Sequence, residues 1–276
     1  LSRLLYLVCN LSLSMDLVRS GDELKTTCTR CGAPGKLYLN FHKKRFYCFK
    51  CHYRGTIGRD LINKVKSIPP PKPKDPEPLP IGVVPISEAS AGRAYLQQRN
   101  ICPQPMWLFC YEGEYADRVV MPVYCHGKYF GFQARTILSS EREPVRYRSS
   151  RNLPLSKILY NYDGVQRSDA SVYVTEGIFG SIVFARSVST FTKRISEEQA
   201  VLLACKTSRV VIAFDKDALK EAISGGYTLM MHGLAWVGIM LMEKKGPDDH
   251  SPEELQRLPI KNFLACAEVL SGTASA

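Results

Sequence analysis

The chain has 276 residues, 45% of them hydrophobic, which exceeds the roughly 100 to 200 residues of one typical domain and leaves ample material for a core. Lys and Arg outnumber Asp and Glu by 37 to 26, a formal charge of +11, and that balance favours a polyanionic partner such as nucleic acid. An anionic membrane surface would answer the same charge, but no apolar run approaches the about 18 residues of a spanning helix and no lipidation motif stands in the sequence, so the membrane option is the weaker one and no membrane partner is expected.

Residues 1–14 (LSRLLYLVCNLSLS) are apolar with one basic residue and precede Met15. They lack a convincing cleavage site and read as an upstream extension or alternative start, not as a signal peptide. Residues 15–66 form a first block. Within it Cys28-x2-Cys31 and Cys48-x2-Cys51, sixteen residues apart, have the spacing of a ribbon in which two knuckles give four thiolates to one tetrahedral Zn²⁺. Four protein ligands close a metal's shell, so this zinc is expected to be structural, holding a piece too small to fold around its own core. The other six of the ten cysteines are scattered without a disulfide pattern, which fits a reducing, cytoplasmic compartment.

Between the cysteine pairs, residues 37–41 and 45–48 alternate around a basic turn at His42-Lys43-Lys44 and predict a hairpin. The block carries Lys43, Lys44, Arg45, Tyr47, Lys50 and Arg54. Basic residues interleaved with aromatics suit a single nucleic-acid strand, whose phosphates they neutralise and whose bases they stack. A solvated basic face has the same composition.

Residues 67–86, with IPPPKPKDPEPLP at their centre, predict a semi-rigid proline-rich linker. A helix is expected over 88–99, then strands over 118–124, 129–134 and 145–148. Beyond about residue 170 strands and helices alternate, with strands at 171–175, 188–191, 210–214 and 234–240 and helices at 178–186, 196–205 and 218–232. That order predicts a mostly parallel α/β sheet. Gly225-Gly226 interrupts the last helix pattern.

Two of these strands end in acids. Residues 209–218 (RVVIAFDKDA) deliver Asp215 and Asp217 at a carboxyl end, and residues 171–177 (SVYVTEG) deliver Glu176. Taken alone, the Asp pair reads either as a helix cap with a solvated neighbour or as ligands for a hard cation. If the strands are parallel neighbours, the carboxylates meet on the edge where α/β sheets bind ligands. Asp248-Asp249 follow the next strand. Convergent carboxylates repel unless a cation neutralises them, which favours Mg²⁺ or Mn²⁺.

Strand-Glu-Gly, strand-Asp-x-Asp and a further acidic loop resemble the Toprim domain, and with the four-cysteine ribbon the chain resembles the bacterial and bacteriophage DNA primases of the DnaG type over about residues 25–262. The resemblance includes residues 117–123 (DRVVMPV), 127–135 (GKYFGFQAR) and 146–160, which are similar to the family's basic polymerase subdomain. It implies a fold with a small β zinc ribbon (15–66) linked to an RNA-polymerase domain. That domain would comprise an α+β subdomain (87–165) and a Toprim α/β sheet (166–276).

It further implies a DNA-templated nucleotidyltransferase that makes short RNA primers, with ribonucleoside triphosphates and a single-stranded DNA template as substrates. The resemblance implies that Glu176, Asp215, Asp217 and Asp248 hold the catalytic Mg²⁺. Arg118, Arg135, Arg146 and Lys157 would line the groove for template or triphosphate, and the ribbon would read the single strand. A helicase would act in trans, in the cytoplasm of a bacterial or phage-infected cell. Two positions depart from the family. Gly180 stands where Glu-Gly-x-x-Asp has its Asp, and Gly246-Pro247-Asp248 lacks the first acid of Asp-Pro-Asp. Fewer metal ligands are therefore expected, and a single-strand-binding or regulatory protein with a weakened site, or a Toprim nuclease, are the rival readings.

Overall fold

The computed structural model describes residues 18–20, 23–40, 44–57 and 75–271. The expected extension at 1–14, Lys43 and residues 67–74 of the proline-rich segment lie outside the described residues. The chain divides between Lys74 and Asp75 into two units.

In the first unit five short strands form an antiparallel meander: β1 (Val18–Ser20), β2 (Glu23–Thr26), β3 (Leu37–Asn40), β4 (Arg45–Cys48) and β5 (Arg54–Thr56). Alternation sets which face is buried. Leu37 and Leu39 of β3 point inward, and the register places Leu37 opposite Cys48 and Leu39 opposite Phe46. Two knuckles repeat one geometry. Cys28 O accepts from Gly32 N–H at 2.8 Å and Cys28 N–H donates to Ala33 O at 2.9 Å; Cys48 does the same with His52 and Tyr53 at 2.9 and 2.8 Å.

The second unit contains two five-stranded sheets among its described residues. The first is antiparallel, built from β6 (Val83–Pro85), β7 (Leu108–Cys110), β8 (Arg118–Cys125), β9 (Lys128–Thr136) and β10 (Tyr147–Ser149) in the spatial order β10-β9-β8-β7-β6. Helix α1 (Ser90–Gln98) packs on it. The segment expected as linker through residue 86 ends inside this sheet: Val83–Pro85 pairs with Leu108–Cys110, and Ile86 is buried. Pro85 is tolerated there because β6 is an edge strand, which owes no second ladder of N–H donors.

The second sheet has the order β12-β11-β13-β14-β15, from β11 (Val172–Thr175), β12 (Ser187–Ser189), β13 (Arg209–Ile212), β14 (Trp236–Met240) and β15 (Ile260–Asn262). The first four run parallel, and β15 closes the edge antiparallel. Helices α2 (Ile178–Ile182), α3 (Glu197–Ala204) and α4 (Leu219–Met231) connect the parallel strands. Helices α5 (Pro252–Arg257) and α6 (Phe263–Ser271) follow β14. One buried cluster runs through both sheets, from Trp107 and Phe109 through Phe179 to Val174, Ile212 and Phe263. At its middle Trp107 stacks on Phe179 at 5.5 Å and donates its indole N–H to the Tyr160 hydroxyl at 2.8 Å.

Gly225-Gly226 does not interrupt α4. The glycines admit close neighbours instead: a Cβ on Gly226 would lie 2.5 Å from Phe263 Cδ2, and one on Gly225 2.9 Å from Ile195 Cδ1. The propensity lost to glycine is offset by the approach of α6. Gly226→Ala is therefore expected to destabilise the second unit by about 2 kcal/mol through overpacking, measured by urea unfolding. A neutral or stabilising result would show that Phe263 yields freely.

Candidate active site

Strands β11 and β13 are parallel neighbours in the register Val174 to Ile212. Glu176 and Asp215 leave their carboxyl ends side by side, and Asp215 N–H donates to Glu176 Oε1 at 3.0 Å. Lys216 N–H donates to Lys245 O at 2.8 Å, which ties this turn to the loop after β14. Neither Asp of the Asp215-Lys216-Asp217 turn caps α4. Asp215 makes no side-chain cap hydrogen bond, and the helix N-cap is Ala218. Instead one carboxylate oxygen from each of Glu176, Asp215 and Asp217 falls within 4.8 Å of the others. Oxygens on one octahedral Mg²⁺ lie about 3 to 4 Å apart. The trio fits one hard cation after a small closure of side chains.

The electrostatics are those of a site short of positive charge. Burial, then the neighbouring Asp215, pushes the Glu176 carboxyl up from its ordinary 4.5 to about 7. Burial also raises Asp215, with Asp248 and Asp217 adding repulsion. Asp217 is exposed and is held below its ordinary value by Lys193, whose Nζ donates to Oδ2 at 2.6 Å. Asp248 lines the same cavity but stands outside the trio, because Arg99 Nη2 donates to its Oδ2 at 2.8 Å.

The cavity has a volume of about 480 Å³ and two unlike walls. Gln133 and Arg135 of β9 and Arg146 before β10 line it from the first sheet, and Lys245 lines it from the loop tied to the Asp215 turn. Arg135 is fixed by its Nε–H to the Tyr95 hydroxyl at 2.8 Å and its Nη1 to the Tyr147 hydroxyl at 2.7 Å, with Phe179 and Tyr147 rings 4.7 and 4.8 Å from its guanidinium carbon. Of the two departures in the acidic motif, Gly180 has ordinary room for a Cβ, 3.5 Å from Pro247 and Thr175. At Gly246 a Cβ would come 2.7 Å from Asp215 Oδ1, so that carboxylate would have to turn aside.

Of the four basic residues expected in the groove, Arg135 and Arg146 line the cavity, while Lys157 is exposed and does not. Arg118 is a correction. It is 1% exposed, pairs with Glu143 at 2.9 Å and donates to Val145 O at 3.1 Å, so it joins β8 to the segment before β10. A buried guanidinium persists only where its donors are satisfied, and here they are satisfied by the protein itself. Sequence reasoning missed Arg99, Lys193, Gln133 and Lys245. Lys193 could have been found by applying to β12 the strand-end argument used for β11 and β13. Arg99 had no such signal, since it only terminates a helix.

In the ribbon, Cys28 and Cys51 Sγ lie 3.7 Å apart and Cys31 and Cys48 Sγ 3.8 Å apart. A tetrahedron with Zn–S bonds of about 2.3 Å has edges of about 3.8 Å. The four sulfurs fit one zinc ion. Lys44, Arg45, Lys50 and Arg54 are exposed and Tyr47 is half-buried, as a binding face requires. The residue missed there is Phe49, 62% exposed, with Tyr38 and Tyr47 edge-on to it at 4.7 and 5.0 Å.

Two predictions follow from these centres. The cluster around the sulfurs is Cys28, Leu37 and Cys48, and the ribbon buries few other apolar side chains, Leu24, Leu39 and Ile57 among them, so chelation or Cys48→Ser should unfold the ribbon and leave the second unit's melting unchanged. Hydrogen exchange resolved by segment would show it, and protection retained at 37–48 after chelation would count against the zinc. For the acids, the folded pKa of Glu176 is raised, so between about pH 4.5 and 7 the native state binds more protons than the unfolded state. Without divalent metal, stability should fall as pH rises through that window and level off above it. Mg²⁺ should stabilise more at about pH 8 than at about pH 5, where protons compete for the carboxylates. Melting curves of wild type and Glu176→Gln test this; an equal pH slope in the two proteins would refute it.

No protein-family model matches the chain, and no curated protein does. Solved structures do match. The zinc-binding and RNA polymerase domains of the Aquifex aeolicus primase superpose with a TM-score of 0.51 at 16% identity, covering 90% of this chain and 81% of that one. A DnaG primase catalytic domain bound to single-stranded DNA gives a TM-score of 0.51 at 15% identity, covering 66% of this chain and 76% of that one. At these identities the likeness establishes architecture, and the chain has the fold of the DnaG-type primases: a four-cysteine ribbon followed by a mixed α/β polymerase-like domain with a mostly parallel sheet.

Proposed function

We propose that this chain is a DNA primase, a DNA-dependent RNA polymerase that makes short RNA primers on single-stranded DNA. The observation that carries the reading is one cavity lined both by Glu176 and Asp215, two of the three clustered acids, and by Arg135, Arg146 and Lys245. Nucleotidyl transfer needs both: carboxylates to hold hard cations, and fixed cations to hold a triphosphate and the template backbone. The fold it shares with primase structures supports the same reading.

Mg²⁺ or Mn²⁺ bound by the trio would supply Lewis acidity towards the α-phosphate and lower the pKa of the attacking 3′-hydroxyl. Arg135, immobilised between two rings and two hydroxyls, pre-orients one triphosphate or template contact without loss of side-chain freedom. Arg146 and Lys245 add charge beside it. Glu176 would be a further ligand to that ion or a proton acceptor. On the ribbon, Lys44, Arg45, Lys50 and Arg54 would neutralise phosphates while Phe49 and Tyr47 stack bases. Reach between the ribbon and the catalytic unit would come from the proline-rich segment, and DNA unwinding from a helicase in trans, in the cytoplasm. No helix among the described residues is long and apolar enough to cross a membrane.

A second reading, a single-strand-binding or regulatory protein with a weakened site, draws on Gly180 and Gly246. One incubation with single-stranded DNA, labelled ribonucleotides and Mg²⁺ or Mn²⁺ separates them. Short RNA products are expected; binding with no product would favour the regulator, and cleaved DNA a nuclease. Asp215→Asn with Asp217→Asn should lower synthesis by more than about a hundredfold, the loss of several kcal/mol of charge stabilisation, with DNA binding retained. Synthesis at wild-type level would sink the metal assignment.

A further inference from the structure

We propose that Arg99 takes the place of a second cation in the acidic cavity, so that the cavity binds one divalent ion, at Glu176, Asp215 and Asp217, and presents a guanidinium beside Asp248. The inference rests on reading the trio as a metal site and goes beyond it in stating what the rest of the cavity does.

The acids of the cavity fall into two groups by their partners. Asp248 is held by Arg99 at 2.8 Å, and Asp249 lies 3.9 Å from the same Nη2 while its Oδ2 accepts from Gly246 N–H at 3.1 Å. Among the described residues no Lys or Arg forms an ion pair with Glu176 or Asp215. Asp217 pairs with Lys193, a 42% exposed ammonium on a flexible stem, which can leave when a cation enters. Arg99 differs from Lys193 in being anchored. It follows α1 directly, its N–H returns to Leu96 O at 3.1 Å, and Leu96 and Ile101 on either side are buried. Its charge is permanent at any working pH.

The surroundings of Asp248 offer little else to a metal. An acid at Gly246 would require the Asp215 carboxylate, whose Oδ1 would lie 2.7 Å from the new Cβ, to turn aside. Gly180, across Pro247, brings no ligand atom. A divalent ion beside Asp248 would thus rest on carboxylates already engaged, Asp248 by Arg99 and Asp249 by the Gly246 N–H and the edge of the same guanidinium, and would meet that positive charge at contact distance. Arg99 supplies neutralisation that a second ion would supply, and it is present before substrate arrives.

The test counts ions on the full, zinc-loaded chain by titrating Mn²⁺ and following the free ion by electron paramagnetic resonance, with no turnover required. Wild type should bind one equivalent, and Asp215→Asn with Asp217→Asn should abolish it. Arg99→Ala should bind two, the second lost again on adding Asp248→Asn, whereas Arg99→Lys should remain at one. Two equivalents on wild type, or one on a folded Arg99→Ala protein, would overturn the proposal. Should Arg99→Ala fail to fold, Asp248→Asn alone decides: an unchanged single equivalent supports the proposal, and its loss overturns it. A wild-type chain that binds none would remove the trio and the parent reading with it. A single equivalent with no RNA synthesis would leave this inference standing while the primase reading falls.

Discussion

The hydrogen bond from Asp215 N–H to the Glu176 carboxylate, 3.0 Å across the ends of two parallel strands, is the constraint on which the cavity depends. It exists because β11 and β13 are neighbours in a fixed register, Val174 beside Ile212, and their side chains are buried on both faces, so the pairing cannot slip without exposing core. The same register forces two carboxylates together. Both are raised by burial and by neighbouring acids, so the site opposes folding at neutral pH unless a cation is present. A sheet with a continuous core behind it can sustain that opposition; a loop could not.

Phe179 sets the distance between the two walls. It stands in α2, the helix that begins directly after Glu176-Gly177. From there its ring stacks on Trp107 and lies 4.7 Å from the Arg135 guanidinium. Tyr95 and Tyr147 rings approach it at 6.4 Å, and the hydroxyls of both accept the hydrogen bonds that fix Arg135. One aromatic side chain therefore connects the element that carries an acid with the strand that carries a cation. The two halves of the second unit share a core, and that sharing is what turns two separate sequence features into one cavity.

The parts of this arrangement legible in the sequence are those where spacing or strand position carries the chemistry. Cys28, Cys31, Cys48 and Cys51 could be grouped because knuckle spacing is local, and the sulfurs do converge. Glu176 and Asp215 could be paired because alternating strands and helices predict parallel neighbours whose ends meet. The fates of cations were not legible. Arg118 and Arg135 both sit in strand patterns next to apolar residues, yet one is consumed by Glu143 and the other faces the cavity. The difference lies in partners 25 and 40 residues distant in sequence, Glu143 for one and Tyr95 for the other. Gly225-Gly226 misled in the opposite direction, since propensity registers the absence of a side chain but not the neighbour that requires it.

Charge at two length scales gives the last step. The chain carries a formal +11, and such a field attracts a polyanion from a distance and raises its encounter rate. At the cavity the sign reverses locally, where Glu176 and Asp215 lie within a few ångströms of Asp217. Such a reversal would repel a phosphate unless a divalent ion lay between, and the same cavity also carries Arg135, Arg146 and Lys245. Glu176, Asp215 and Asp217 come together here beside Gly180 and Gly246, where the resembled family has further acids, so fewer carboxylates share the charge of any cation that enters.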